Sequence, residues 1–309
     1  MSISNILETT KMFLTDSGFE TTIIFDHHVD LPHFALFSIL DKPEYQDTIF
    51  NYYKEHLDIA KANNSGFILE SGTWRANKVW GFKLGYSEKD LIKLNTLAIE
   101  QLKSIRNKYK DQVNPILISG QLGPAGDGYA ITNRMSTEEA KICHSLQISA
   151  FKESGADLTT ALTMGYIDEA LGIVQSAKEY GLPVVISFTV ETDGKLPSGE
   201  TLKEAIETID QITDNYASYY MINCAHPSHF VNELNTEDGW ILRIRGIRAN
   251  ASCKSHAELD ESEELDRGDV KDFGIWHQTL KSKLPNLSVL GGCCGTDVSH
   301  VKQIAENLN

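Results

Sequence analysis

At 309 residues the chain is long enough for one large domain or two small ones, and its 41% hydrophobic, 23% charged composition is that of an ordinary globular protein. A formal net charge of −15, with no cluster of Lys and Arg to interrupt it, argues against nucleic acid and anionic membrane as partners. The N-terminal stretch MSISNILETTKMFLTDSG lacks the features of a secretory signal, and no apolar run approaches the roughly 20 residues that span a bilayer; a cytoplasmic protein is expected. Five cysteines, two of them adjacent, make a poor disulfide framework and suit metal binding, catalysis or packing in a reducing compartment.

In chain order, the first strand is expected at MFLTD (12–16). The stretch FETTIIFDHHVDLPHF follows it, where His27, His28 and His33 lie beside Asp26 and Asp30. Metal-binding histidines need defined spacing on a rigid element, so this stretch reads as a solvated loop. Helical periodicity then runs through YQDTIFNYYKEHLDIAKAN, and the second strand is GFILES (66–71). Trp74 and Trp80, in SGTWRANKVWGF, read as packing residues, with a cation–π contact to a sulfonium methyl as the functional alternative. A helix over EKDLIKLNTLAIEQLKSIRNKY leads to the third strand, PILISGQ (115–121). The glycine-rich SGQLGPAGDGY after it lacks the GK[ST] ending of a nucleotide loop and reads as a turn that lets backbone approach substrate; Asp127 fits turn geometry.

The alternation continues with the helix TEEAKICHSLQISAFKES, the strand ADLTTALT (156–163), the helix IDEALGIVQSAKEY, the strand PVVISFTV (183–190) and the helix LKEAIETIDQITDNY. Strands YYMINC (219–224), ILRIRGI (241–247) and LSVLGG (287–292) complete the series. Between the last two lies NASCKSHAELDESEELDRGDVKDFG, whose acidic run reads as a solvated loop or helix start, with a lid over the active site as the alternative. Eight strands alternating with helices, with no linker or composition break, predict an α/β fold of the (β/α)8 TIM-barrel type, one domain over residues 1–309. An open doubly wound sheet is the alternative; no GxGxxG turn follows the first strand.

Cys224 ends the sixth strand and Cys293 and Cys294 follow the eighth, so a parallel barrel opens all three onto one face. Gly291, Gly292 and Gly295 flank the pair and give the backbone freedom to turn both sulfurs toward one ion. Three thiolates leave a tetrahedral zinc one open position, the arrangement of a catalytic site; His226 or Cys253 would have to supply a fourth ligand for a structural one. Lone cysteines ordinarily pack as small hydrophobes, and Cys143 and Cys253 are read that way. A zinc carrying three thiolates is a weak Lewis acid for carbonyls, yet it binds a soft thiol and removes its proton. The residues alone therefore point to a zinc-activated thiol nucleophile.

The motifs TDSGFET, ISGQLGPAGDGY, INCAHP and GGCCGT occur in the order in which they stand in the homocysteine S-methyltransferase family, which the chain resembles over nearly its whole length. The resemblance implies a barrel in which Cys224, Cys293 and Cys294 bind zinc and homocysteine sulfur takes the fourth site. It makes Asp16 and Asn223 catalytic candidates, and the expected substrate contacts are Asp16, Gly18, Glu70, Thr163 and Asn223. Leu162 departs from the family, standing where relatives usually carry a glutamate that contacts the substrate amino group; Glu70 and Glu20 are the carboxylates available to compensate. The implied partners are a small thiol and a sulfonium donor, S-methylmethionine or S-adenosylmethionine, since the chain has no room for folate- and cobalamin-binding modules and ends about one helix after GGCCG. The alternatives are the same zinc–thiolate chemistry on another small thiol or selenol, and a non-catalytic zinc-stabilised binding barrel.

Overall fold

The computed structural model describes residues 3–9, 12–234, 237–262 and 264–308, leaving Glu263 of the acidic run outside the described residues. Eight parallel strands close into a barrel in sequence order: β1 (Phe13–Leu14), β2 (Gly66–Glu70), β3 (Ile116–Leu122), β4 (Leu158–Met164), β5 (Val184–Phe188), β6 (Tyr219–Asn223), β7 (Ile244–Ala249) and β8 (Val289–Gly292). Phe13 pairs with both Gly66 and Val289, which closes the ring. Although β1 is short, its ladder to β8 runs on, through Thr15 N–H to Leu290 O and Gly292 N–H to Asp16 O. The expected (β/α)8 barrel is therefore the observed fold.

Long helices at 46–62, 88–109, 137–154, 167–180, 202–213, 270–283 and 298–308 pack outside the ring. Their boundaries follow from local chemistry. Ser87, Ser136 and Thr201 each form a capping box with the acidic residue three positions on, and Gly155 and Gly181 end their helices in the left-handed region. The sixth crossover departs from the pattern, with only the short helix Pro227–Phe230 before a 3-10 turn at Gly239–Arg243. That turn delays β7 to Ile244, three residues later than the sequence pattern predicts, because Asp210 and the Ala217 carbonyl bind the Arg243 guanidinium at the strand's edge.

Inside the ring the strands change character every second residue. Phe13, Ile68, Leu117, Leu158, Val185, Met221 and Val289 form an apolar layer, closed from below by Ile3 and Leu7 of the N-terminal helix Ile3–Thr9. Two residues further along, Thr15, Glu70, Ser119, Thr160, Ser187 and Asn223 are buried polar groups near the C-terminal ends of the strands. The apolar layer stabilises the barrel and the polar layer underlies its mouth, where barrel active sites are built. Phe13 is fully buried, so Phe13→Ala is expected to cost about 3–5 kcal/mol, measured by chemical denaturation.

Candidate active site at the barrel mouth

Cys224 follows β6, while Cys293 and Cys294 follow β8; the three sulfurs lie within 4.8 Å of one another. Among the described residues they are the group of His, Cys, Asp and Glu side chains close enough to share an ion, and neither His226 nor Cys253 joins them. Cys224 and Cys293 are bonded to each other, and Cys294 is not part of that disulfide. Coordination requires thiolates, so this bond must be reduced before all three can bind a metal. Tetrahedral zinc with Zn–S distances near 2.3 Å needs sulfurs about 3.8 Å apart, a separation that three sulfurs grouped this closely reach by small movements. The donor set fits zinc with one position open.

Asn223 organises the surroundings of these sulfurs. Its Oδ1 accepts from the Thr163 backbone N–H at 2.8 Å and from Ser187 Oγ at 2.6 Å. Its Nδ2 donates to Thr163 Oγ1 at 2.9 Å and approaches Cys293 Sγ at 3.8 Å, while Thr163 Oγ1 lies 3.9 Å from Cys224 Sγ. Both sulfurs thus have a donor beside them that favours thiolate, the role outer-shell partners play at metal sites. Gly18 packs against the turn from the other side: a Cβ there would fall 2.7 Å from the Cys293 carbonyl oxygen. Glycine permits that approach.

Asp16 and Glu70 lie beneath this surface, both almost fully buried. Asp16 Oδ1 forms an ion pair with Arg248 Nη1 at 2.7 Å, and Oδ2 accepts from Tyr52 Oη at 3.2 Å. Arg248 also donates to the carbonyls of Gly292 and Ser17. Glu70 sits in the polar layer beside Ser119 and Thr160; burial pushes its carboxyl up to about 7, against the opposing pull of Arg248. Burial also raises Glu20 to about 7, with the charge of Asp16 adding to the rise.

A cavity opens above the cysteines, and Gly18, Glu20, Leu162, Thr163 and Asn223 line it, with Phe34, Trp74 and Tyr129 as aromatic walls. Asp16 and Glu70 do not line it. Trp74 and Trp80 sandwich Arg75, whose Cζ lies 4.0 and 4.1 Å from their ring centroids, so an internal cation already stacks on both rings. Asp127 accepts the N–H groups of Tyr129 and Ala130, the turn role its sequence context suggests. The loop after β7 packs behind this wall: His256 stacks on Tyr129 at 3.9 Å, and Arg267 ties the loop to Asp26 and Asp297. His27 and His28 are exposed and take no part in the site. Arg248 was not singled out from the sequence; it is one of two arginines in β7, and register decides that it, three residues on from Arg245, faces inward.

The family model for homocysteine S-methyltransferase matches residues 13–308. The chain belongs to this family. Homocysteine S-methyltransferase 2 of Arabidopsis thaliana is 24% identical, over 99% of this chain and 96% of the relative. A selenocysteine Se-methyltransferase of Brassica oleracea var. italica is also 24% identical, over 99% and 92%. Among solved structures, the metallated homocysteine methyltransferase of Escherichia coli superposes with a TM-score of 0.77 at 17% identity, covering 98% of each chain. Among the described residues, no helix is long and apolar enough to cross a membrane.

Two outcomes are expected of this methyltransferase. Asn223→Ala lowers metal affinity or activity by about 10- to 100-fold, checked by chelator competition and initial rates. Glu70 holds its proton in the folded protein up to about pH 7 but releases it in the unfolded chain near 4.5, so its contribution to stability is full below about pH 4.5 and is lost as pH rises through 7. Denaturation of wild type and Glu70→Gln between pH 4.5 and 8 therefore shows a shallower decline in the variant.

Proposed function

We propose that the chain is a zinc-dependent S-methyltransferase that moves a methyl group from S-methylmethionine or S-adenosylmethionine to homocysteine, giving methionine. The convergence of Cys224, Cys293 and Cys294 at the cavity, with no fourth protein ligand among the described residues, carries this reading. A zinc ion held by those three thiolates would take the acceptor sulfur at its open position and make it a thiolate at neutral pH, where a free thiol with a pKa of about 8.5 is mostly protonated. In a single displacement, the acceptor sulfur forms a bond to the methyl carbon as the donor's carbon–sulfur bond breaks. The donor leaves as a neutral thioether with the electron pair, and the thiol proton goes to solvent.

The protein's own groups orient and shield this exchange. Asn223 and Thr163 hold the cysteine sulfurs, while Asp16, pinned by Arg248 and Tyr52, fixes the Ser17–Gly18 segment against the Cys293 turn. Phe34, Trp74 and Tyr129 line the cavity with aromatic surface that would keep water from a sulfonium methyl. A second acceptor is also supported: the apolar Leu162 on the cavity wall and the similarity to a selenocysteine methyltransferase favour a selenol.

Reduced, zinc-loaded protein is expected to transfer methyl from a sulfonium donor to homocysteine, and pairing each donor with homocysteine and selenocysteine ranks the substrates by product formed. Cys294→Ala removes both bound zinc and turnover. Full turnover by metal-free protein would sink the proposal, and four protein ligands to zinc in X-ray absorption would favour a binding barrel.

A further inference from the structure

The cavity wall carries a charge that the reaction so far does not use. Asp16 is committed to Arg248 and Tyr52, and Glu70 lies behind the cavity surface in the polar layer. The guanidinium of Arg248 is spent on Asp16, Ser17 and Gly292. Glu20 is different. It lines the cavity, is only partly covered, and among the described residues its carboxylate receives its own backbone N–H and no side-chain hydrogen bond or ion pair. A carboxylate on a wall that it shares with the apolar Leu162 is costly to keep ionised without a partner. The missing partner is a cation that arrives with the ligand.

Resting on the proposed function, we infer that Glu20 receives the ammonium group of the acceptor while the acceptor's sulfur is directed to Cys224, Cys293 and Cys294. The residue is reached from β1 through the turn Ser17–Gly18–Phe19, whose carbonyl at Ser17 is held by Arg248 and whose Gly18 packs on the Cys293 turn. One segment therefore sets the distance between the ammonium contact and the sulfur site. Glu20 is thereby a specificity residue: it selects small amino-thiols or amino-selenols over thiols of the same length that lack the amino group.

The test uses reduced, zinc-loaded, full-length protein without any methyl donor, titrated calorimetrically with homocysteine and with 4-mercaptobutanoate, its analogue lacking the amino group. Wild type is expected to prefer homocysteine by about 10- to 100-fold, the worth of one charge-assisted hydrogen bond. Glu20→Gln abolishes that preference while zinc content and affinity for 4-mercaptobutanoate stay at wild-type values; Glu20→Asp retains part of it. The assignment is overturned if Glu20→Gln keeps the preference or if it weakens both thiols equally. A zinc-loaded wild type that binds homocysteine no more tightly than the analogue overturns Glu20 alone. A zinc-loaded wild type that binds neither thiol overturns the proposed reaction and Glu20's part in it together.

Discussion

The mouth of this barrel depends on one buried cation. Arg248 reaches from the end of β7 to the Asp16 carboxylate, the Ser17 carbonyl and the Gly292 carbonyl, so a single guanidinium joins β7, the segment after β1 and the end of β8. Taking that charge out of water costs several kcal/mol, and the ion pair with Asp16 together with two carbonyl bonds offsets the penalty. Its planar fork suits the task, since one rigid group reaches a carboxylate and two carbonyls in different directions. The Cys293–Cys294 turn and the Gly18–Glu20 wall both start from backbone that Arg248 holds. Asp16 thus bears on the mouth through the positions of its neighbours, from beneath the cavity.

The polar layer under the mouth does a second job. Ser187, Thr163 and Asn223 form a chain of hydrogen bonds that ends beside two of the three cysteine sulfurs. An amide suits this position because it accepts and donates at once: Oδ1 takes the Thr163 N–H and the Ser187 hydroxyl, leaving Nδ2 for Thr163 Oγ1 and the sulfur. An aspartate of the same size would lose the donor and place negative charge against thiolates. Glu70, in the same layer, is kept largely protonated by burial until about pH 7, which limits the negative charge accumulated around Arg248.

Much of this was legible in the sequence, for identifiable reasons. Strand and helix periods differ enough that β2, β4, β5, β6 and β8 and the helix at 88–109 fall within a residue or two of their predicted places. The cysteines stood out because parallel strands bring their C-terminal ends to one face whatever lies between them in the chain. The polar layer can be read afterwards as a period-two change from Ile68 to Glu70 and from Met221 to Asn223. Arg248 and the division of labour among carboxylates could not be read. Register decides which of Arg243, Arg245 and Arg248 points inward, and a 3-10 turn held by Asp210 shifted that register. Asp16, Glu20 and Glu70 are equivalent acids on paper; only their packing makes one an ion-pair partner, one a cavity wall and one a buried proton store.

Two strand ends show where the fold gives up local comfort for the site. Thr163 and Cys224 both have positive φ, 65° and 52°, in a region that residues with a Cβ enter at a cost and β-branched residues rarely enter at all. Both sit where a strand must turn sharply at the mouth. Asn223 grips Thr163 through two hydrogen bonds, one to its backbone and one to its hydroxyl, and the Cys224 N–H is held by the Arg248 carbonyl. The strained conformations persist because these bonds over-determine them. In return the Cys224 sulfur is turned back toward the β8 cysteines and the Thr163 hydroxyl is set beside it, an arrangement that relaxed extended backbone at these two positions would point elsewhere.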